Sequence, residues 1–200
     1  MAKEKKTNNV AKGGYLWGIL LFCVLLLIDL VTKAVADAYF SQPSAPQKID
    51  IIPGWISLCI TYNRGISYGM GDNAPLWAKI AVIAGTAVLM LILTIVYFKV
   101  DKSRTLIRIA IVCIVAGGVG NLIDRVYYRV WDVATYPLGV RDMVDLSRFG
   151  FAVCNFADFF ITGGAVALML SLLFFDKEAV FPVGKYKEMA KREEESKNAK

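Results

Sequence analysis

Four long apolar runs punctuate the chain, each close to the roughly 20 residues that span a bilayer as a helix. They cover about 15–36, 75–98, 105–123 and 156–175 of the 200 residues. Polar segments separate them. Two of these are long, 37–74 and 124–155. The connection at 99–104 is short, and a polar tail fills 176–200. The pattern predicts one membrane domain, mainly α-helical, with four transmembrane helices.

The first long loop carries a second period. Between Trp55 and Tyr62, the apolar Ile56, Leu58, Ile60 and Tyr62 alternate with Ser57, Cys59 and Thr61. Alternation by two predicts a strand with one apolar face. Pro43, Pro46 and Pro53 interrupt the segment before it, and the Gly-rich stretch Asn63–Gly69 follows it. A small β-structure over residues 54–70, lying on the membrane surface, fits this pattern. The tail from Lys185 to Lys200 reads as a polar helix or as unstructured chain.

Charge orients the spans. Of 23 Lys and Arg, four precede the first span, four surround the 99–104 connection and seven follow the fourth span. Basic residues accumulate in cytoplasmic segments, so both termini and the short connection are expected in the cytoplasm. The loops 37–74 and 124–155 then face outward. Ala34-Val35-Ala36 imitates a signal-peptide cleavage site, but Asp29 and Lys33 intrude before it, which favours a retained span.

Composition removes several chemistries. The chain is 56% hydrophobic with net charge +6 and no histidine. A Ser-His or Cys-His nucleophile and a His-ligated metal are thereby excluded, and no metal or other cofactor is expected. The basic residues flank apolar runs without aromatic interleaving, so they read as contacts to membrane lipid and not to nucleic acid. Cys23 and Cys113 lie in apolar runs and read as small packed hydrophobes. Cys59 and Cys154 fall in the outer loops.

Carboxylates inside or beside apolar spans are costly, and so point to function. Asp29 lies in the first span, Asp124 ends the third and Asp158 opens the fourth. The third span runs outward and the fourth returns, which sets Asp124 and Asp158 at one depth near the outer surface. Gly117, Asn121 and Asp124 recur at i, i+4 and i+7 on one helix face, with Arg125 alongside. Asn155 precedes Asp158 by three. Two facing carboxylates can share a proton and work as a general acid–base pair on water. An interfacial cap or ion pair is the plainer reading of the same spacing. Asp29 and Lys33, at i and i+4, read as an ion pair with Lys33 snorkelling outward. Asp132, Asp142 and Asp145 read as solvated loop charges, with Asp145 close enough to the site to matter.

The blocks Asp29–Lys33, Asn63–Gly69, Gly117–Arg125 and Val144-Asp-Leu…Asn155-Phe-Ala-Asp158 resemble the lipoprotein signal peptidase, or signal peptidase II, family. The resemblance covers about residues 15–175. It implies four membrane helices with a small outer-face β-cradle and an outer helical segment. It implies an aspartic endopeptidase of the bacterial inner membrane that cleaves prolipoproteins just before a diacylglyceryl-modified cysteine, and that a globomycin-type inhibitor blocks. It implies Asp124 and Asp158 as the catalytic pair. Asn63, Gly65, Asn121, Arg125, Asn155, Asp29 and Lys33 are implied as substrate-binding or supporting residues. Ser67, Tyr68, Cys154 and a long 127–144 loop depart from the usual pattern and bear on the shape of the cleft. A small transporter or channel subunit is the competing class, but its ionisable groups belong near mid-membrane on broken helices. A Gly-x-Gly-Asp intramembrane protease would need Asp where this chain has Asn121.

Overall fold

A computed structural model describes residues 2–65, 74–132, 135, 138–176 and 178–198; side chains of 2–14, 193 and 196–198 are not described. Four described helices are long and apolar enough to cross a membrane, over Tyr15–Phe40, Leu76–Lys99, Thr105–Tyr127 and Phe156–Leu173. They belong to α1 (Ala2–Phe40), α2 (Leu76–Lys99), α3 (Thr105–Tyr127) and α4 (Phe156–Leu173), and a further helix, α5, covers Lys185–Asn198. The tail is therefore helical through most of its length.

α3 is the central helix, with thirteen buried residues from Ile107 to Arg125. Small residues let its neighbours approach. A Cβ on Gly117 would run into the carbonyl oxygen of Ala157 on α4, and one on Gly164 of α4 would meet the Ala110 carbonyl oxygen at 2.8 Å. A Cβ on Gly120 would collide with the Asp29 carboxylate of α1. The glycines of α3 thus bring α1 and α4 onto its outer half, where the polar residues lie. Below them, Met90, Tyr97, Ile107, Ile111, Val112 and Val115 form the apolar core.

α3 continues one turn past the end of its apolar run, so Asp124 sits inside the helix and not at its end. Arg129 then takes a left-handed conformation, φ 44°. The N–H of Val130 bonds the Arg125 carbonyl at 3.2 Å, and that of Arg129 bonds the Val126 carbonyl at 3.2 Å. This Schellman closure turns the chain out of the helix.

The loops assemble one antiparallel sheet in the order β1 (Ile49–Ile52), β2 (Ile56–Asn63), β3 (Val140–Asp145), β4 (Val153–Cys154). The strand expected at 55–62 is β2. Its buried positions are Ser57 and Cys59, whereas Ile56, Leu58 and Ile60 are half-buried. The more covered side chains at this end of the strand are therefore the small Ser57 and Cys59, and a register shift follows between Leu58 and Thr61. Residues 66–70 of the expected β-structure, including Ser67 and Tyr68, lie outside the described residues. The helical part of the outer face is, among the described residues, a 3-10 turn at Ser147–Phe149.

Candidate active site

The site begins with the first turn of α4. Asn155 caps that helix: its side-chain oxygen accepts the Asp158 N–H at 3.1 Å, and the Asp158 carboxylate (Oδ2) accepts the Asn155 N–H at 3.0 Å. This reciprocal box satisfies donors that a helix start leaves open. It also fixes Asp158 at the mouth of α4, where it lines a cavity of about 390 Å³ together with Asn63, Asp142, Leu146, Phe151, Cys154 and Phe159, among others.

Asn155 reaches further. Its Nδ2 donates to Asp142 Oδ1 at 2.6 Å and to Asn121 Oδ1 at 3.0 Å. Asn121 in turn donates from Nδ2 to Asp158 Oδ1 at 2.9 Å. Two asparagines therefore join Asp142 on β3 to Asp158 on α4, and both carboxylates open on one cavity. Both Asp158 oxygens accept hydrogen bonds, Oδ1 from Asn121 and Oδ2 from the Asn155 N–H.

Asp142 is only 3% exposed, which overturns its reading as a solvated loop charge. Strand β3 places Val140, Asp142 and Val144 on one face, and Val144 lies opposite Cys154 on β4. A carboxylate in an otherwise apolar phase is carried inward with its neighbours. Burial, and next the charge of Asp158, pushes its pKa up to about 7, against hydrogen bonds from Asn155 and Asn63 and the charge of Lys33. Two residues on, half-buried Asp145 is held down to about 2 by its hydrogen bond from Lys48, at 2.7 Å. Burial also drives the Cys154 thiol up to about 12, with help from Asp158 and Asp142, so it offers no thiolate.

Asp124 lies in a different setting. It is fully buried, with 0% exposure, and is absent from the residues lining that cavity. Arg141 clamps it, Nη2 to Oδ1 at 2.7 Å and Nε to Oδ2 at 3.3 Å, and the Arg141 backbone N–H adds a bond to Oδ2 at 3.0 Å. Lys33 Nζ stands 3.7 Å away.

Lys33 does not snorkel. It is 0% exposed, bonded to Asp29 at 2.8 Å and to Asn121 Oδ1 at 2.9 Å. The other Asp29 oxygen accepts the Ala157 N–H at 2.9 Å. The pair ties α1 to both α3 and α4, and the glycine at position 120 leaves room for it. Arg125 donates to the Asn121 and Gly65 carbonyls, each at 3.4 Å, and Gly65 N–H bonds the Asn63 side-chain oxygen at 2.9 Å. Asn63, Gly65, Asn121, Arg125, Asn155, Asp29 and Lys33 thus belong to one connected polar assembly. Of the two other cysteines in spans, Cys113 is half-buried while Cys23 is exposed on α1, so Cys23 is not packed inside the bundle.

A family model described as Signal peptidase (SPase) II matches residues 21–174. The chain belongs to the signal peptidase II family. It is 31% identical to the lipoprotein signal peptidase of Fusobacterium nucleatum over 177 residues, 88% of this chain and 97% of that one. With the lipoprotein signal peptidase of Ectopseudomonas mendocina it shares 32% over 170 residues, 83% and 93% of the two chains. Two solved bacterial membrane enzyme structures share the fold. One superimposes with TM-score 0.61 at 24% identity over 78% of this chain and 92% of that one; the other gives 0.57 at 22% over 78% and 87%.

As a member of the signal peptidase II family, the chain is a membrane peptidase. Three residues of the assembly escaped the reading of its sequence: Asp142, Arg141 and Asp37. For Asp142 a signal existed, since Val140, Asp142 and Val144 alternate as strand residues do. Arg141 and Asp37 carried no such signal. Each is a charge in or beside an outer loop, and no spacing links positions 37, 124 and 141.

Proposed function

We propose that the chain removes the signal peptide of prolipoproteins, cleaving before the diacylglyceryl-modified cysteine, and that Asp124 and Asp158 are its acid–base pair. The first half follows from family membership. One observation supports the second: Lys33 stands 3.7 Å from Asp124 and donates to Asn121, which donates to Asp158, so both carboxylates belong to one polar assembly at the outer ends of α3 and α4.

One carboxylate of the pair takes a proton from water as that water attacks the scissile carbonyl. The other donates its proton to the carbonyl oxygen. The first then passes its proton to the leaving nitrogen, and the second recovers one as the diol collapses. Like-charge repulsion across such a pair favours one shared proton. Asn121 and Asn155 hold Asp158, and Asn155 and Asn63 bond Asp142 beside it on β3. The apolar walls, Leu146, Phe151 and Phe159, suit a lipidated substrate, and globomycin-type inhibitors would compete there. The Lys/Arg distribution supports cytoplasmic termini in a bacterial inner membrane, with this cavity at the outer face.

The test is cleavage of a diacylglyceryl-modified prolipoprotein by purified Asp124→Asn and Asp158→Asn variants. Each is expected to lose turnover by about 10²–10⁴-fold or more. Near-normal turnover in either folded variant would remove that carboxylate from the pair.

A further inference from the structure

Buried cations in this chain have partners, with one exception. Lys33 bonds Asp29 and Asn121, Arg108 bonds the Tyr97 hydroxyl, and Arg125 bonds the Asn121 and Gly65 carbonyls. Lys79, in the first turn of α2, is also buried, with 8% exposure. Among the described residues nothing hydrogen-bonds or ion-pairs with it. A buried charge without a partner is costly, so its surroundings were searched for what would answer it.

Lys79 lines a small cavity of about 70 Å³ with Arg64, Gly65 and Arg125, walled by the apolar Ala78, Val82 and Val130, among others. Three cations meet there, and no carboxylate is among the described residues lining the space. Arg125 lies within electrostatic range of Asp124, Asp142 and Asp158, so its charge is balanced from the active-site side. The charge of Lys79 has no such balance. The start of α2 adds to the positive field. Pro75 begins the helix without a side-chain cap, which leaves N–H groups and the positive end of the helix dipole open. A lysine in that first turn opposes the dipole, and a bound anion relieves both charges.

The depth of the cavity selects the anion. Trp77, two residues before Lys79, is 72% exposed, and Leu76 and Ile80 are exposed beside it. Tryptophan at the end of an apolar span marks the level of the lipid headgroups. The anion present throughout that layer is the phosphate of a phospholipid, and a cavity of this size admits a phosphate group.

We propose that Lys79, Arg64 and Arg125 form a phosphate-binding site that holds the headgroup of a phospholipid at the sheet end of the bundle. Guanidinium groups grip phosphate oxygens in pairs, and the ammonium acts as a point charge. The bound headgroup joins α2 to the turn after β2, where the Gly65 N–H bonds the Asn63 side chain. A lipid is thereby fastened to the edge of the active site, whichever carboxylates carry out the reaction.

The experiment reads thermal unfolding of the full chain in a phosphate-free, uncharged detergent. Three probes are compared: dihexanoylphosphatidylglycerol, dihexanoylglycerol with the same chains and no phosphate, and inorganic phosphate. At 100 times its Kd the phospholipid is expected to raise the midpoint by about 5–10 °C, and the other two by far less. Without any probe, Lys79→Met should unfold at a higher temperature than the unaltered protein, because it removes an unpaired buried charge. With the phospholipid the order should reverse, and the apparent Kd should rise about tenfold or more, as expected for one lost charge-assisted bond. Should Lys79→Met fail to fold, Lys79→Gln carries the phospholipid comparison. A lower midpoint for folded Lys79→Met without probe means that a carboxylate of the chain already answers the lysine, and overturns the proposal. An equal phospholipid shift with and without the lysine charge also overturns it. Equal protection by dihexanoylglycerol shows apolar contact alone, and equal protection by inorganic phosphate shows a free anion as the ligand; either result removes the headgroup from the site.

Discussion

Asn155 Nδ2 lies 2.6 Å from Asp142 Oδ1, so the residue that caps α4 also bonds a carboxylate on β3. One side chain does two jobs through two different atoms. The oxygen closes the helix start, and the nitrogen bridges strand and helix.

Those jobs can be separated. Asn155→Ala removes both, and loss of such a cap costs about 0.5–2 kcal/mol. Asn155→Ser keeps a capping oxygen but has no amide to reach Asp142. The serine variant is expected to regain most of the thermal stability lost in the alanine variant, while turnover stays down by about 10²-fold in both. Thermal unfolding and initial rates, measured on the same preparations, check this. Recovery of turnover in the serine variant would remove the bridge from the mechanism.

Asp142 gives stability a pH dependence of known sign. Its folded pKa, about 7, lies above the ordinary 3.8. Between those values the folded chain holds a proton that the unfolded chain has released, so this residue's contribution falls as pH rises. It is neutral below about pH 4 and most unfavourable above about 7. Asp142→Asn should therefore match the unfolding midpoint of the unaltered protein at pH 4 and exceed it at pH 8. A gap that does not widen between the two pH values would mean that the buried carboxyl is not held protonated.

The parts of this architecture differ in how openly the sequence carries them. Spans are properties of single runs, and apolar length alone marks all four. The Asn155–Asp158 box is local as well, three residues on one turn, and is visible as a spacing. Asp142 was visible only in part. Its alternation with Val140 and Val144 is a strand signal, but a short strand in a long loop between spans is easily read as solvated chain. What the sequence leaves hidden is pairing across the chain. Lys33 meets Asn121, and Arg141 meets both Asp124 and Asp37, only because glycines let three helices converge. Which face of β2 is covered likewise depends on what packs against it, and the alternation alone does not encode that.

The buried pair of Lys33 and Asp29 has a stability signature. Both side chains are 0% exposed and 2.8 Å apart. Removing one partner of a buried ion pair leaves an uncompensated charge and typically costs about 3–5 kcal/mol, whereas replacing both with neutral groups costs far less. Lys33→Met alone is expected to unfold at a much lower temperature. Combining it with Asp29→Asn should recover a large share of that loss, because the amide can still accept the Ala157 N–H. Turnover should recover less than stability, since Asn121 has lost a donor that fixes its orientation. Equal instability in the single and double variants would show that the pair's charges are not the cause.

The nucleophile is the last point that the geometry constrains. The chain has no histidine, and among the described residues no group of three or more Cys, Asp or Glu is arranged to hold a metal. Cys154 borders the cavity, but its thiol is pushed up to about 12 and stays protonated at neutral pH. Water activated by Asp158 is the remaining candidate. Direct attack by water leaves one solvent oxygen in the new carboxylate of the released signal peptide, with no covalent intermediate. Attack by a side chain would instead give an acyl-enzyme. In H₂¹⁸O, single-turnover cleavage is expected to add one ¹⁸O to the signal peptide's terminal carboxylate. Rapid quenching should trap no covalent adduct, a cysteine-blocking reagent at Cys154 should slow turnover only by crowding the cavity, and chelators should have no effect. A trapped adduct whose mass matches enzyme plus signal peptide would overturn the acid–base pair, because that pair has no nucleophile of its own except water.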